Sequence, residues 1–192
     1  MTAGLAAYRV ITALGHPLAA PWLRRRLAAG KEDPDRWREK LGLSDRRRPP
    51  GALAWLHGAS VGEALSLVPL AGALSRRADP PGVLVTSGTR ASADLLAARL
   101  PSGAIHQFAP LDTPQATARF LDHWRPDLAV FAESELWPNL ILGAKRRGAR
   151  LALVSAKLSE ASLAGWRRAP AAARAILGAF DLVLARDAAA AK

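Results

Sequence analysis

The chain contains no cysteine, which excludes disulfides, thiolate nucleophiles and cysteine-ligated zinc or iron–sulfur centres. Its four histidines, at positions 16, 57, 106 and 123, stand far apart with no H-x-x-x-H pair, so a metal site has no support. Neither G-x-x-x-x-G-K-[ST] nor G-x-G-x-x-G occurs, which removes the P-loop and dinucleotide fingerprints. No metal and no cofactor are therefore expected. Acidic residues are scarce: 16 Asp and Glu against 27 Lys and Arg leave a net charge of +11. A long uninterrupted apolar run is also lacking. Val10–Leu23 is uncharged but contains His16, Pro17 and Pro21, and it falls short of the ~20 residues a spanning helix needs.

What is present is a chain of 192 residues, half of them apolar, enough for one domain with a real core and an appendage. The positive charge implies anionic partners: phospholipid, nucleic acid or a phosphorylated substrate. Residues 1–50 hold eleven Arg and Lys against five Asp and Glu, so +6 of the total lies in the first quarter. Elsewhere the arginines fall in pairs on separate elements without interleaved aromatics, so no nucleic-acid partner is expected. The apolar run precedes Arg24-Arg25-Arg26, the reverse of a secretory signal peptide. It reads as a shallow membrane anchor over residues 1–30, with Trp22 at the interface and the arginines against anionic headgroups. An amphipathic helix packed on the domain is the other reading.

Residues 31–51 are charged and broken by Pro34, Pro49 and Pro50, suggesting a short helix (Asp35–Leu41) and a linker. From residue 52 to 187 short apolar strands alternate with helical patterns. The strands are expected at Leu53–His57, Val83–Thr86, Ala104–Phe108, Leu128–Phe131, Leu151–Val154 and Leu182–Leu184. The helices are expected at Gly62–Arg77, Ala91–Leu100, Pro114–Trp124, Pro138–Arg147 and Pro170–Phe180. Such alternation predicts the α/β class: a Rossmann-like parallel sheet with helices on both faces.

In such a sheet the loops after the strands share one edge, where ligands bind. Gly58-Ala-Ser60-Val-Gly62-Glu63 follows the first strand. Its glycines leave room for a ligand near the backbone, and Glu63 falls in the first turn of a helix. Ser60-x-x-Glu63 is equally a capping box. Thr86-Ser87-Gly88-Thr89-Arg90 suits an anion or a sugar, or simply caps a helix, and Asp112 or Thr113 could do the same. Glu133 and Glu135 follow the fourth strand, and Ser155-Ala-Lys157 the fifth. Carboxylates beside hydroxyls and a lysine suit deprotonation of an alcohol and transfer of a group onto it.

Taken in order, these blocks resemble the N-terminal half of the 3-deoxy-D-manno-octulosonate (Kdo) transferases. Glu133-Ser-Glu-Leu-Trp-Pro-Asn-Leu140 is similar to that family's E-T-E-L-W-P-N-L, and Val154-Ser-Ala-Lys-Leu-Ser-Glu160 to its N-A-R-L-S-E block. The resemblance implies the acceptor half of a GT-B glycosyltransferase on the cytoplasmic face of the inner membrane. Its donor CMP-Kdo would be bound by an absent C-terminal domain, to which residues 188–192 are the truncated link. The reaction implied is inverting, needs no metal, and moves Kdo onto the 6′-hydroxyl of a lipid A precursor. By the same resemblance Glu63 is the general base and Glu133 supports the transition state. Ser60, Gly62, Thr86, Ser87, Glu135 and Lys157 are then candidate substrate contacts. A helix start favours the ionised carboxylate that a base requires. Another GT-B enzyme with a lipid-linked acceptor, or a non-catalytic domain binding a membrane surface or lipid A, are the alternatives.

Overall fold

The strands form where the apolar runs predict them, and the computed structural model, which describes residues 2–133, 136–156 and 165–186, joins them in one parallel sheet. They are β1 (Leu53–His57), β2 (Gly82–Ser87), β3 (Ile105–Phe108), β4 (Leu128–Ala132), β5 (Arg150–Ala156) and β6 (Leu182–Ala185), in the order β3-β2-β1-β4-β5-β6. Residues of β1 are buried on both sides, as a central parallel strand requires. Leu53 and Trp55 point to one face, with Phe131 and Leu153; Ala54 and Leu56 point to the other, with Val130 and Ala152.

The helices are α1 (Ala3–Ala28), α2 (Val61–Ser66), α3 (Val68–Ser75), α4 (Arg90–Ala97), α5 (Pro114–Trp124), α6 (Pro138–Arg146) and α7 (Pro170–Leu177). Phe120, Leu121, Trp124, Leu140, Ile141 and Ile176 of α5, α6 and α7 cover the Trp55 face. Ala64, Leu67, Ala71 and Leu96 cover the Leu56 face. One expected helix, Gly62–Arg77, is two. Pro69 has no N–H to give and its ring crowds the carbonyl four residues back, so the helix stops at Ser66 and restarts at Val68.

The N-terminal helix packs against α5 and reverses the usual arrangement of a surface helix. Its polar side chains face the protein. Tyr8 Oη donates to Asp112 (2.9 Å), Thr12 Oγ1 accepts from Asn139 (3.1 Å), and His16 meets Thr113 (2.8 Å). Leu5 and Leu23 are buried, but five of its large apolar side chains, Val10, Ile11, Leu14, Leu18 and Trp22, are exposed, Leu14 to 75%. Among the described residues no helix is long and apolar enough to cross a membrane. Residues 31–51 carry a short 3-10 helix, Trp37–Leu41, which contacts α1, α5 and β3. Within this stretch Glu32 is buried between Lys40 Nζ (2.6 Å) and Arg26 Nε (2.5 Å).

Candidate active site

The strand order doubles back at β1, whose neighbours are β2 on one side and β4 on the other. The loops leaving β1 and β4 therefore diverge, and this switch point is where open α/β sheets open a crevice at the carboxyl edge. Glu63 and Glu133 stand on these two loops. His57, the last residue of β1, is paired in register with Phe131 of β4 and Thr86 of β2.

Around Glu63 the turn is tight. A Cβ on Gly58 would lie 2.6 Å from the Ala64 backbone nitrogen, so only glycine lets β1 turn so closely into α2. Ser60 caps α2, accepting the Glu63 N–H (3.3 Å). The Glu63 carboxylate is buried and accepts the Ala59 N–H (2.8 Å) and the Ser60 hydroxyl (2.9 Å). The capping box is thus largely realised, with Ala59 supplying the N–H that Ser60 would give in the usual motif. Ser60 and Gly62 are exposed, and a Cβ on Gly62 would meet nothing. A carboxylate offers about four lone-pair sites, so two hydrogen bonds leave Glu63 able to accept another.

Glu133 is half-buried and adopts a left-handed backbone, φ 57°, with its N–H donated to Val154 O (2.9 Å). Ser155, at the end of β5, is left-handed too, φ 53°. Strained non-glycine backbone on adjacent strand ends is typical of functional edges. Glu135 and Lys157 lie outside the described residues.

Thr86 and Ser87 are fully buried and serve other side chains. Thr86 Oγ1 accepts the Trp55 indole N–H (2.8 Å) and lies 2.9 Å from His57 Nδ1. The hydroxyl proton needs an acceptor, and Nδ1 is the one in reach among the described residues, so His57 carries its proton on Nε2. Burial lowers the His57 pKa to about 4, which keeps the ring neutral. Ser87 Oγ lies 2.8 Å from His106 Nε2 and accepts from Ser92 Oγ (2.7 Å). Arg36 donates to His106 Nδ1 (3.0 Å), and burial, reinforced by Arg36 and Arg46, lowers the His106 pKa to about 3.

Above these residues lies a cavity of about 220 Å³. Ala59 and Gly88 line it from the loops after β1 and β2, Ala109–Leu111 from the loop after β3, and Trp137 and Leu140 from the start of α6. Trp22 and Arg26 of α1, together with Lys40 and His57, complete the wall. The two inner loops touch: Gly88 donates its N–H to Ala59 O (3.0 Å), and a Cβ on Gly88 would fall 2.8 Å from that oxygen. Ala59 also holds Glu63, so one residue links the cavity to that carboxylate. Asp112, buried, fixes the far side. It accepts the Asn139 and Leu140 N–H groups (3.1 and 2.8 Å) and the Tyr8 hydroxyl, tying α6 to α1. Its pKa is raised by burial, against the opposing pull of these hydrogen bonds. Among the described residues no three His, Asp or Glu side chains converge as a metal site would need.

Arg26, Lys40 and Trp137 were not singled out as candidate contacts from sequence. Trp137 lies inside the acidic-Trp-Pro-Asn block that carries the resemblance, and Arg26 in the basic last turn of α1, but neither signal says that they line one cavity with His57.

The family model described as 3-Deoxy-D-manno-octulosonic-acid transferase (kdotransferase) matches residues 35–192. Among similar proteins, a probable mitochondrial 3-deoxy-D-manno-octulosonic acid transferase of Arabidopsis thaliana is 38% identical over 169 residues, covering 86% of this chain and 38% of the relative. The 3-deoxy-D-manno-octulosonic acid transferase of Rickettsia bellii is 37% identical over 162 residues, 84% of this chain and 38% of that protein. That of Bordetella pertussis is 37% identical over 176 residues, 86% and 40% respectively. The chain spans about two-fifths of the length of these curated relatives.

Proposed function

We propose a function from one premise: this chain belongs to the 3-deoxy-D-manno-octulosonic acid (Kdo) transferase family, a family of glycosyltransferases. In this proposal the chain is the acceptor-binding half of a GT-B enzyme that transfers Kdo from CMP-Kdo to the 6′-hydroxyl of a lipid A precursor. Glu63 removes the hydroxyl proton as the oxygen attacks the anomeric carbon. The bond from that carbon to the CMP phosphate breaks, and CMP leaves with the electron pair. Inversion follows from this single displacement. No cofactor takes part.

The observation that carries the reading is the position of Glu63 and Glu133 on the diverging loops at the switch point, with Glu63 one hydrogen bond from a cavity-lining residue, Ala59. Ser60, exposed, holds its hydroxyl 2.9 Å from the Glu63 carboxylate, where an acceptor hydroxyl would have to sit. The acceptor would displace or share that contact. Association with the cytoplasmic face of the inner membrane is part of the proposal. Its support is the exposed apolar stripe of α1, ending in the exposed Arg24 and Arg25.

One observation favours a second reading: both Glu63 oxygens are already engaged within their own turn, as in a purely structural cap. Glu63→Gln separates the two. In the complete polypeptide that carries this chain, a general base lost should lower kcat by at least about a hundredfold. Acceptor KM and melting temperature should change little. Turnover within a fewfold of wild type would leave Glu63 as a cap alone.

A further inference from the structure

The helix that follows Glu133 is capped from outside its own loop. After β1, β2 and β3 the helices α2, α4 and α5 start on their own preceding residues, Ser60, Thr89 and Thr113, whose hydroxyls each accept an N–H of the first turn. The residue before α6 is Trp137, which has no side-chain oxygen to offer, and Pro138 has no N–H to give. The next two N–H groups go instead to Asp112, on the loop after β3. Its Oδ2 accepts from Asn139 (3.1 Å) and its Oδ1 from Leu140 (2.8 Å), so both carboxylate oxygens serve one helix start. Asn139 returns the contact, donating its side-chain amide to the Asp112 carbonyl (2.7 Å). Proximity in sequence would give Asp112 to α5, whose cap it precedes; the fold gives it to α6.

Several elements hold this carboxylate still. Leu111, beside it, donates its N–H to Lys40 O (2.8 Å). From α1 the Tyr8 hydroxyl donates to Oδ2 (2.9 Å), and Thr12 Oγ1 accepts from the Asn139 amide (3.1 Å). Asp112 and Asn139 are both buried, and no cation pairs with Asp112 among the described residues. Capping alone does not require a buried charge, since neutral hydroxyls cap α2, α4 and α5. What the charge adds is a stronger hold: charge-assisted hydrogen bonds, and attraction to the positive end of the helix. At the other end of the same stretch Glu133 donates its N–H to Val154 O (2.9 Å) of β5. Residues 133–140 are thus anchored by a neighbouring strand at one end and by Asp112 at the other.

We propose that Asp112 is a positioning residue for the transfer reaction: it fixes where α6 begins and thereby where the Glu133 carboxylate stands, with Tyr8 as its support from α1. It touches no reacting atom. The proposal rests on the reading of Glu133 as a group that supports the transition state. Because α1 turns its apolar side chains outward, its seating on the domain and the placement of Glu133 share one carboxylate.

The test is a double-mutant cycle on turnover by the complete polypeptide that carries this chain. Asp112→Asn keeps the shape and sets a donor against one of the N–H groups. Tyr8→Phe removes only a hydroxyl and carries the cycle if Asp112→Asn does not fold. Well below the melting temperatures, Asp112→Asn should lower kcat about tenfold or more and Tyr8→Phe a fewfold, with acceptor KM within about twofold. Glu133→Gln should lower kcat by itself, and in that background the other two substitutions should cost little more. Losses that multiply would overturn the proposal and leave Asp112 as a cap alone. Glu133→Gln at the wild-type rate would instead remove Glu133 from the proposed function, and the positioning role with it. Amide hydrogen exchange at Asn139 and Leu140 should quicken in both the Asp112 and Tyr8 variants; unchanged protection would overturn the remote cap itself.

Discussion

Replacing Thr86 by valine tests how the centre of this edge is built. Valine matches threonine in shape, so no cavity opens and no strand contact is lost; only the hydroxyl goes. That hydroxyl accepts the Trp55 indole N–H at 2.8 Å and holds His57 Nδ1 at 2.9 Å, in a site with no solvent exposure. Both partners stay buried, since Trp55 and His57 are 0% and 1% exposed, and neither can turn to water. An unsatisfied buried polar group costs about 1–3 kcal/mol, so two imply a loss of roughly 2–6 kcal/mol. For a domain of this size each kcal/mol shifts the melting temperature by about 2–4 °C, giving a fall of roughly 4–24 °C by calorimetry. Thr86→Ser keeps the hydroxyl and loses a methyl, and it should recover most of the difference. A Thr86→Val protein melting within a degree or two of wild type would refute the hydrogen-bond assignment and the His57 tautomer derived from it.

Acid should destabilise the fold through its two buried neutral histidines. Burial holds His57 near 4 and His106 near 3, below the ordinary 6.5, so as pH falls the unfolded chain takes up protons first. Their contribution is complete above pH 6.5 and shrinks by about 1.4 kcal/mol per pH unit per ring down to those values. Urea unfolding midpoints at pH 7.0, 5.5 and 4.5 should fall in sequence; a flat profile would contradict the buried neutral rings. On the outer face of α1, Leu14→Glu with Leu18→Glu should abolish binding to anionic vesicles while leaving the melting temperature unchanged, because both side chains are exposed. Vesicle co-sedimentation at wild-type level would remove the membrane reading.

The sheet was legible because its signals are local. Each strand is a short apolar run bounded by proline, glycine or charge, and β1 and α5 carry the expected boundaries. The break between α2 and α3 was not read, since the apolar face Leu67–Leu70–Ala71–Leu74 runs across it and masks the backbone effect of Pro69. Hydropathy marked α1 as apolar but could not say which face turns outward. That depends on Asp112, Thr113 and Asn139, residues about a hundred positions away that draw Tyr8, Thr12 and His16 inward.

The site was legible only as far as one loop reaches. Ser60 and Glu63 lie three residues apart, so sequence alone foresaw both their contact and its two meanings, cap and base. The contacts that give this edge its chemistry run instead across strands. Thr86 was expected to touch substrate because it ends a strand in a hydroxyl-rich turn. Register pairs it with His57, and the Trp55 indole takes its oxygen, so it acts beneath the surface through a ring that does line the cavity. The same logic accounts for Arg26 and Trp137, brought to that cavity by α1 and by the start of α6. A buried carboxylate, Glu32, then fixes Arg26 and Lys40 together. What no single stretch encodes is the outcome: among the described residues His57 Nε2 and Trp137 Nε1, of two residues that line one cavity, have no hydrogen-bond partner. The wall of that cavity is drawn from α1, from three strand ends and from the start of α6, so no one motif could mark it.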